Sequence, residues 1–133
     1  MLSFLEHRFK DQPMEWDRAR KYCQDLGAQL VEIDSSEENK AIIEEIERRG
    51  YHAQKKQFWL GLTDRRTEGK WVYESSLAEA IFENWAFGQP DDGGWFAEED
   101  CAYIMTDSMW NDYNCNQKQF LQWTLNALCK KIT

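Results

Sequence analysis

Residues 74 to 100 show neither the 3.6-residue period of a helix nor the alternation of a strand, although strand-like runs lie on both sides. A loop of that length is uncommon in a compact domain unless it carries a function or is ordered by something it binds. The rest of the chain must therefore supply a conventional scaffold. Phe58 to Leu62, Lys70 to Tyr73, Ala102 to Met105 and Ala127 to Ile132 are short runs of aromatic and branched residues, expected as strands. Two helices precede them. Glu15 to Leu26 sets Trp16, Ala19, Tyr22, Cys23 and Leu26 on one face, with Gly27 placed to end the helix. The second opens on Ser35 with Glu38 three residues on, a capping-box pattern. It carries Ala41, Ile42, Ile43 and Ile46 as its inward stripe and ends at Arg48, Arg49 and Gly50.

The chain has 133 residues, 42% of them hydrophobic, enough to close one core, and it shows no linker-like stretch or fixed-period repeat. A single domain over 1–133 is expected. No apolar run reaches the roughly 18 residues needed to cross a bilayer, and Met1 to Lys10 lacks the basic start and apolar middle of a signal peptide. No membrane insertion by this chain is expected, and any targeting segment should lie outside the sequence. The net charge of −8 argues against a nucleic-acid partner, which usually requires Lys and Arg gathered on one face. Acid is also concentrated: from Gln89 to Asp112 there are seven Asp or Glu and no Lys or Arg, so that convergence on a cation competes with simple surface solvation.

The donor types narrow the cation. Gln89, Asp91, Asp92, Glu98, Glu99, Asp100, Asn111 and Asp112 are hard oxygen ligands, suited to calcium, which takes about six to eight oxygens in a forgiving geometry. Zinc would call for His or Cys, but the chain has two histidines and no Cys-x-x-Cys pair. An EF-hand is excluded because no Asp-x-Asp-x-Asp-Gly run is present. The four cysteines, Cys23, Cys101, Cys115 and Cys129, are expected in disulfides and hence in an oxidising compartment. Three pairings are open. Cys101 with Cys115 nested inside Cys23 with Cys129 would staple the return of the acidic loop and tie the first helix to the last strand, worth roughly 3 and 5 kcal/mol in the chain-entropy picture.

The motifs and their order are more specific than any of these features alone. Trp16-x-x-Ala19-x-x-x-Cys23, Phe58-Trp59-Leu60-Gly61-Leu62-Thr63-Asp64, Gly69-Lys70-Trp71, Asn84-Trp85, Gln89-Pro90-Asp91, Glu99-Asp100-Cys101 and Trp110-Asn111-Asp112 with Cys115 follow one another along nearly the whole chain. In this the sequence resembles the C-type lectin-like domain family, and Gln-Pro-Asp resembles its galactose-type carbohydrate-recognition domains. The resemblance implies an α+β fold: two helices flanking short antiparallel sheets, a long calcium-binding loop and two disulfides. It implies a principal calcium on Gln89, Asp91, Glu99, Asn111 and Asp112, an auxiliary calcium on Asp64, Glu68, Asp92, Glu99 and Asp100, and a cis bond between Gln89 and Pro90. Three departures from the family stand out, one of them an Asp91 to Glu99 spacing that differs from its mannose-type loops. The extra N-terminal cysteine pair of its long form is absent, and the Cys115 to Cys129 interval is longer than in typical members. The added length holds Phe120 and Trp123, readable as core or as a partner surface.

On this reading two adjacent sugar hydroxyls would replace water on the principal calcium. Glu99 and Asp91 accept from those hydroxyls while the amides of Gln89 and Asn111 donate, making recognition sensitive to hydroxyl direction. Trp95, on a Gly93-Gly94 hinge, could stack on the apolar face of galactose, with Phe96 the substitute; alternatively Trp95 folds back into the core. The expected ligands are glycans or glycoproteins bearing terminal galactose or N-acetylgalactosamine, bound outside the cell by a secreted protein or ectodomain. Single-sugar affinity near millimolar, about 4 kcal/mol, would make a homo-oligomer useful for avidity. Two rivals remain. In a glycosidase, Glu99 and Asp112 would act as acid and nucleophile, but carboxylates held on calcium shuttle protons poorly, so no enzyme is expected. In the other, calcium only braces the same fold for protein recognition.

Overall fold

The computed structural model describes residues 7–90 and 99–131. The expectations placed on Asp91, Asp92, Trp95 and Phe96 lie outside the described residues. In chain order the elements are β1 (His7–Pro13), α1 (Trp16–Asp25), β2 (Ala28–Leu30), α2 (Ser36–Arg48), β3 (Lys56–Thr63), β4 (Val72–Tyr73), β5 (Cys101–Ile104), β6 (Trp110–Tyr113), β7 (Gln119–Phe120) and β8 (Trp123–Lys131). They join into one sheet ordered β1-β8-β3-β5-β6, with β2 and β7 also on β8, and β4 on β3. Every ladder is antiparallel except β3 with β8.

Both helices form where the spacing puts them. On α1 the buried residues are Trp16, Ala19 and Cys23; the helix stops at Asp25, so Leu26 of the expected face is exposed, and Gly27 follows at φ +74°. On α2 Ile42 and Ile46 are buried, and the Ser35 hydroxyl accepts from the Glu38 N–H at 3.1 Å, as a cap should. The Glu38 side chain does not complete the box on Ser35. It accepts from Asp34 N–H at 3.0 Å and turns inward to His7 and Lys130.

The core has two parts. One, with Val31, Ile33, Ile42, Ile46, Phe58, Leu60, Leu62, Ile104 and Trp110, lies between α2 and the sheet; the other, with Trp16, Trp59, Tyr103, Leu125 and Ala127, lies under α1. Two indoles stitch the second part by donating to buried carbonyls, Trp16 to Leu60 and Trp59 to Met14, each at 2.8 Å. Gly61 has no substitute, because a Cβ there would stand 2.7 Å from the Leu30 carbonyl oxygen. Of the three pairings open in the sequence, the nested one forms: Cys23 with Cys129 and Cys101 with Cys115, at Cα separations of 5.4 and 5.3 Å. The first ties α1 to β8 and the second closes the β5–β6 ladder. In the long interval between Cys115 and Cys129, Phe120 packs on Tyr113 with ring centroids 5.3 Å apart and Trp123 is half-buried. Leu121, at that hairpin's tip, is exposed.

Candidate functional site

The described half of the long loop, 74–90, has no helix or strand of its own and is held by aromatic rings. Trp85 sits between Trp71 and Trp110, with centroids 4.9 and 5.9 Å away, and Phe82 meets Trp110 edge-on at 5.7 Å. The backbone is fastened at the same place: Trp110 N–H donates to Asn84 O at 2.8 Å and Ala86 N–H to Trp110 O at 2.9 Å. Gln89 and Pro90 are thereby fixed against β6, joined by a cis peptide bond as expected. Asn111 and Asp112 are the next two residues of β6 after Trp110, so the anchor of the loop and the second group of oxygen donors share one strand.

Strand alternation sorts the β6 donors: Trp110 and Asp112 are buried while Asn111 and Tyr113 are half-buried. Across the β5–β6 ladder, Tyr103 pairs with Asn111 and Ala102 with Asp112. Burial pushes the Tyr103 phenol well above its ordinary value; a hydrogen bond with the Asn111 side chain works against this, and the Glu99 and Asp112 carboxylates add to it. Asn111 thus hydrogen-bonds with Tyr103, and the Glu99 and Asp112 carboxylates lie within electrostatic reach of the same phenol.

A second group lies where β3 ends. Asp64 follows Thr63, and its N–H donates to Asp100 O at 3.1 Å, an acceptor shared with the Thr63 hydroxyl. Asp64, Glu68 and Asp100 each bring one carboxylate oxygen within 4.8 Å of the others. Asp64 is 2% exposed, and its Oδ2 accepts from Gly69 N–H at 2.9 Å. Its Oδ1 is buried with no donor among the described residues. Burial raises its pKa to about 8; the Gly69 N–H opposes this, and the neighbouring Asp100 and Glu68 reinforce it. The cluster thus retains a proton where a cation would otherwise neutralise it. A buried carboxylate oxygen without a donor, beside two more carboxylates, is a set of hard ligands that fits calcium.

Asp112 of the first group and Asp64 and Glu68 of the second line one cleft of about 630 Å³, whose walls also include Gln89 and Pro90. Of the residues expected at the two calcium sites, four line this cleft, Asp64, Glu68, Gln89 and Asp112; Asp100 clusters with Asp64 and Glu68, while Glu99 and Asn111 act on Tyr103 and are not among its walls. Lys70, Trp71, Glu79, Glu83 and Trp85 also line it, with Gly69 and Ala80, and were not expected there. Trp71 and Trp85 could be read as markers in the sequence. Glu79 and Glu83 carry no signal that separates them from other acids in a loop without a period.

The sequence profile of the family described as "Lectin C-type domain" matches residues 12–131. The chain belongs to the C-type lectin domain family. Among curated proteins, this lectin domain is 38% identical to asialoglycoprotein receptor 2 of Rattus norvegicus over 82% of the chain and 35% of the receptor. It is 33% identical to a perlucin-like protein of Mytilus galloprovincialis over 84% of the chain and 69% of that protein. The lectin domain thus spans about a third of the rat receptor's length. Among solved structures it superposes on the human scavenger receptor C-type lectin carbohydrate-recognition domain with a TM-score of 0.80 and 27% identity, covering 98% of this chain and 94% of the other. The C-type lectin fold, with its two helices, sheet and two disulfides, is the one the motifs implied. The family is one of carbohydrate-recognition domains, calcium-dependent in general, and not one of enzymes. Among the described residues, no helix is long and apolar enough to cross a membrane.

Proposed function

We propose that this lectin domain, a single unit over 1–133, binds glycans ending in galactose or N-acetylgalactosamine, in a calcium-dependent manner and outside the cell. The observation that carries the reading is the meeting of Gln89, Asp112, Asp64 and Glu68 on one cleft, with Asp100 clustered on Asp64 and Glu68. In this reading Gln89, Asp91, Glu99, Asn111 and Asp112 hold the principal calcium. Asp64, Glu68, Asp92, Glu99 and Asp100 hold the auxiliary one, which braces the loop. When bound, the principal calcium supplies a Lewis-acidic centre for two adjacent sugar hydroxyls. The protein's own contribution is direction. The amides of Gln89 and Asn111 donate to hydroxyl oxygens, the carboxylates of Asp91 and Glu99 accept hydroxyl protons, and Trp95 or Phe96 offers a ring to the sugar's apolar face. The Gln-Pro-Asp order of this motif and a relative named for asialoglycoproteins both support the galactose choice. Copies joined in a homo-oligomer, or several domains in one parent chain, would raise a weak single-site affinity.

The test is a galactose-agarose column. Retention in calcium with elution by EDTA is the expected result. Flow-through in calcium by folded protein would overturn the galactose reading and favour a calcium-braced protein-recognition domain instead.

A further inference from the structure

Two residues before Gln89, the Phe87 side chain is fully exposed. It is not on a slack segment. Gln89 N–H donates to Ala86 O at 2.9 Å, closing a turn whose third residue, Gly88, has φ +80°, as a type II turn requires. Ala86 N–H in turn donates to Trp110 O, so the turn is pinned to β6 one residue before Asn111. The backbone at Phe87 is thereby fixed relative to Gln89 on one side and to Asn111 on the other. With one residue of chain between them, the Phe87 Cα stands within about 7 Å of that of Gln89, on the scale of one sugar ring. Ile81 and Leu121 are exposed as well, but neither belongs to the turn that carries Gln89.

We infer that Phe87 is an apolar platform for the second sugar of a bound glycan, the one joined to the sugar held at Gln89. The inference rests on the galactose-binding reading of that site. A phenyl ring has no polar atom, so it reads the C–H face of a sugar and not its hydroxyls. It therefore adds affinity for longer glycans without changing which terminal sugar is chosen.

The test titrates methyl β-galactoside and N-acetyllactosamine, in saturating calcium, into the wild type, Phe87→Ala and Phe87→Tyr. The wild type is expected to bind the disaccharide about three- to tenfold more tightly than the monosaccharide. Phe87→Ala should lose that preference while its Kd for methyl β-galactoside stays at the wild-type value, and Phe87→Tyr should keep the preference. A wild type without the preference, or a Phe87→Ala variant that retains it, overturns the platform. A folded wild type that binds neither sugar overturns the galactose reading itself, and the platform with it.

Discussion

Glu38 and Asp64 are buried to the same degree, 1% and 2% exposed, yet their surroundings drive them in opposite directions. Glu38 lies where α2 meets the two terminal strands. Its Oε2 is 2.8 Å from His7 Nε2 and 3.0 Å from Lys130 Nζ, and its Oε1 accepts from Asp34 N–H and Lys130. Burial is the largest single influence and pushes its pKa up, but His7, the Asp34 N–H and Lys130 together outweigh it and hold the carboxyl below its usual value of 4.5. Asp64, at the loop, has one backbone donor and two acids for neighbours, and stays protonated to about 8. Burial alone does not distinguish a structural carboxylate from a ligand. The partners do, and they show that one carboxylate is electrostatically complete while the other is arranged for a positive charge from outside.

Replacing Glu38 should give the largest effect. Glu38→Gln leaves His7 and Lys130 facing a neutral amide, and we expect a loss of about 3 kcal/mol at pH 7 in urea unfolding, the same with and without calcium. The pH dependence has a fixed sign. A carboxyl whose folded pKa is depressed stabilises the fold above its unfolded value, and that stability is lost as pH falls through the folded pKa. The gap between wild type and Glu38→Gln should therefore hold from neutral pH down to about 4.5 and close below it. A gap that widens in acid would mean that the network is not ionised as drawn.

Asp64→Asn should do the reverse and sharpen the contrast. In EDTA the variant should be as stable as the wild type or more so, since it removes one of three converging acids. In calcium at 100 times Kd, the wild type should gain about 2.7 kcal/mol from binding at one site, and the variant should lose most of that gain. Equal calcium-induced shifts in thermal melts of the two proteins would dissociate the Asp64, Glu68 and Asp100 cluster from calcium.

How much of this was legible in the sequence follows the same division. Periodicity located α1 and α2, and aromatic or branched runs located β3, β5 and β8, because those elements bury their own side chains. β1 was missed: His7–Pro13 has little alternation and ends in proline, and it is a strand because β8 pairs with it. β6 was missed for a related reason, since Trp-Asn-Asp-Tyr reads as a run of ligands until the register with β5 shows Trp110 and Asp112 facing inward. At the site, Gln89, Glu99, Asn111 and Asp112 could be named from ordered motifs. The walls at Glu79 and Glu83 could not, since the aromatic stack of Trp71, Trp85 and Trp110 decides which acids of the loop turn toward the cleft.

The smallest expected effect concerns a cation next to the acid cluster in the chain. Arg65 is adjacent to Asp64 in the chain, yet it does not neutralise it: its guanidinium forks onto both oxygens of Asp17 on α1, each at 2.9 Å, and stacks over Trp16. Half-exposed Asp17 is held below its usual value chiefly by this hydrogen bonding. Pairing Arg65 with α1 keeps an internal positive charge away from the place where calcium is proposed to bind, so the contrast between the two buried carboxylates depends partly on an ion pair outside both. Asp17→Asn should cost no more than about 1 kcal/mol, because the pair is exposed to solvent. At 1 M salt, where the screening length falls to about 3 Å, that difference should shrink toward zero. If Asp17→Asn instead weakens calcium binding severalfold with little change in stability, then the released Arg65 has moved to the cluster, and the main work of the Asp17 pair is to hold that arginine aside.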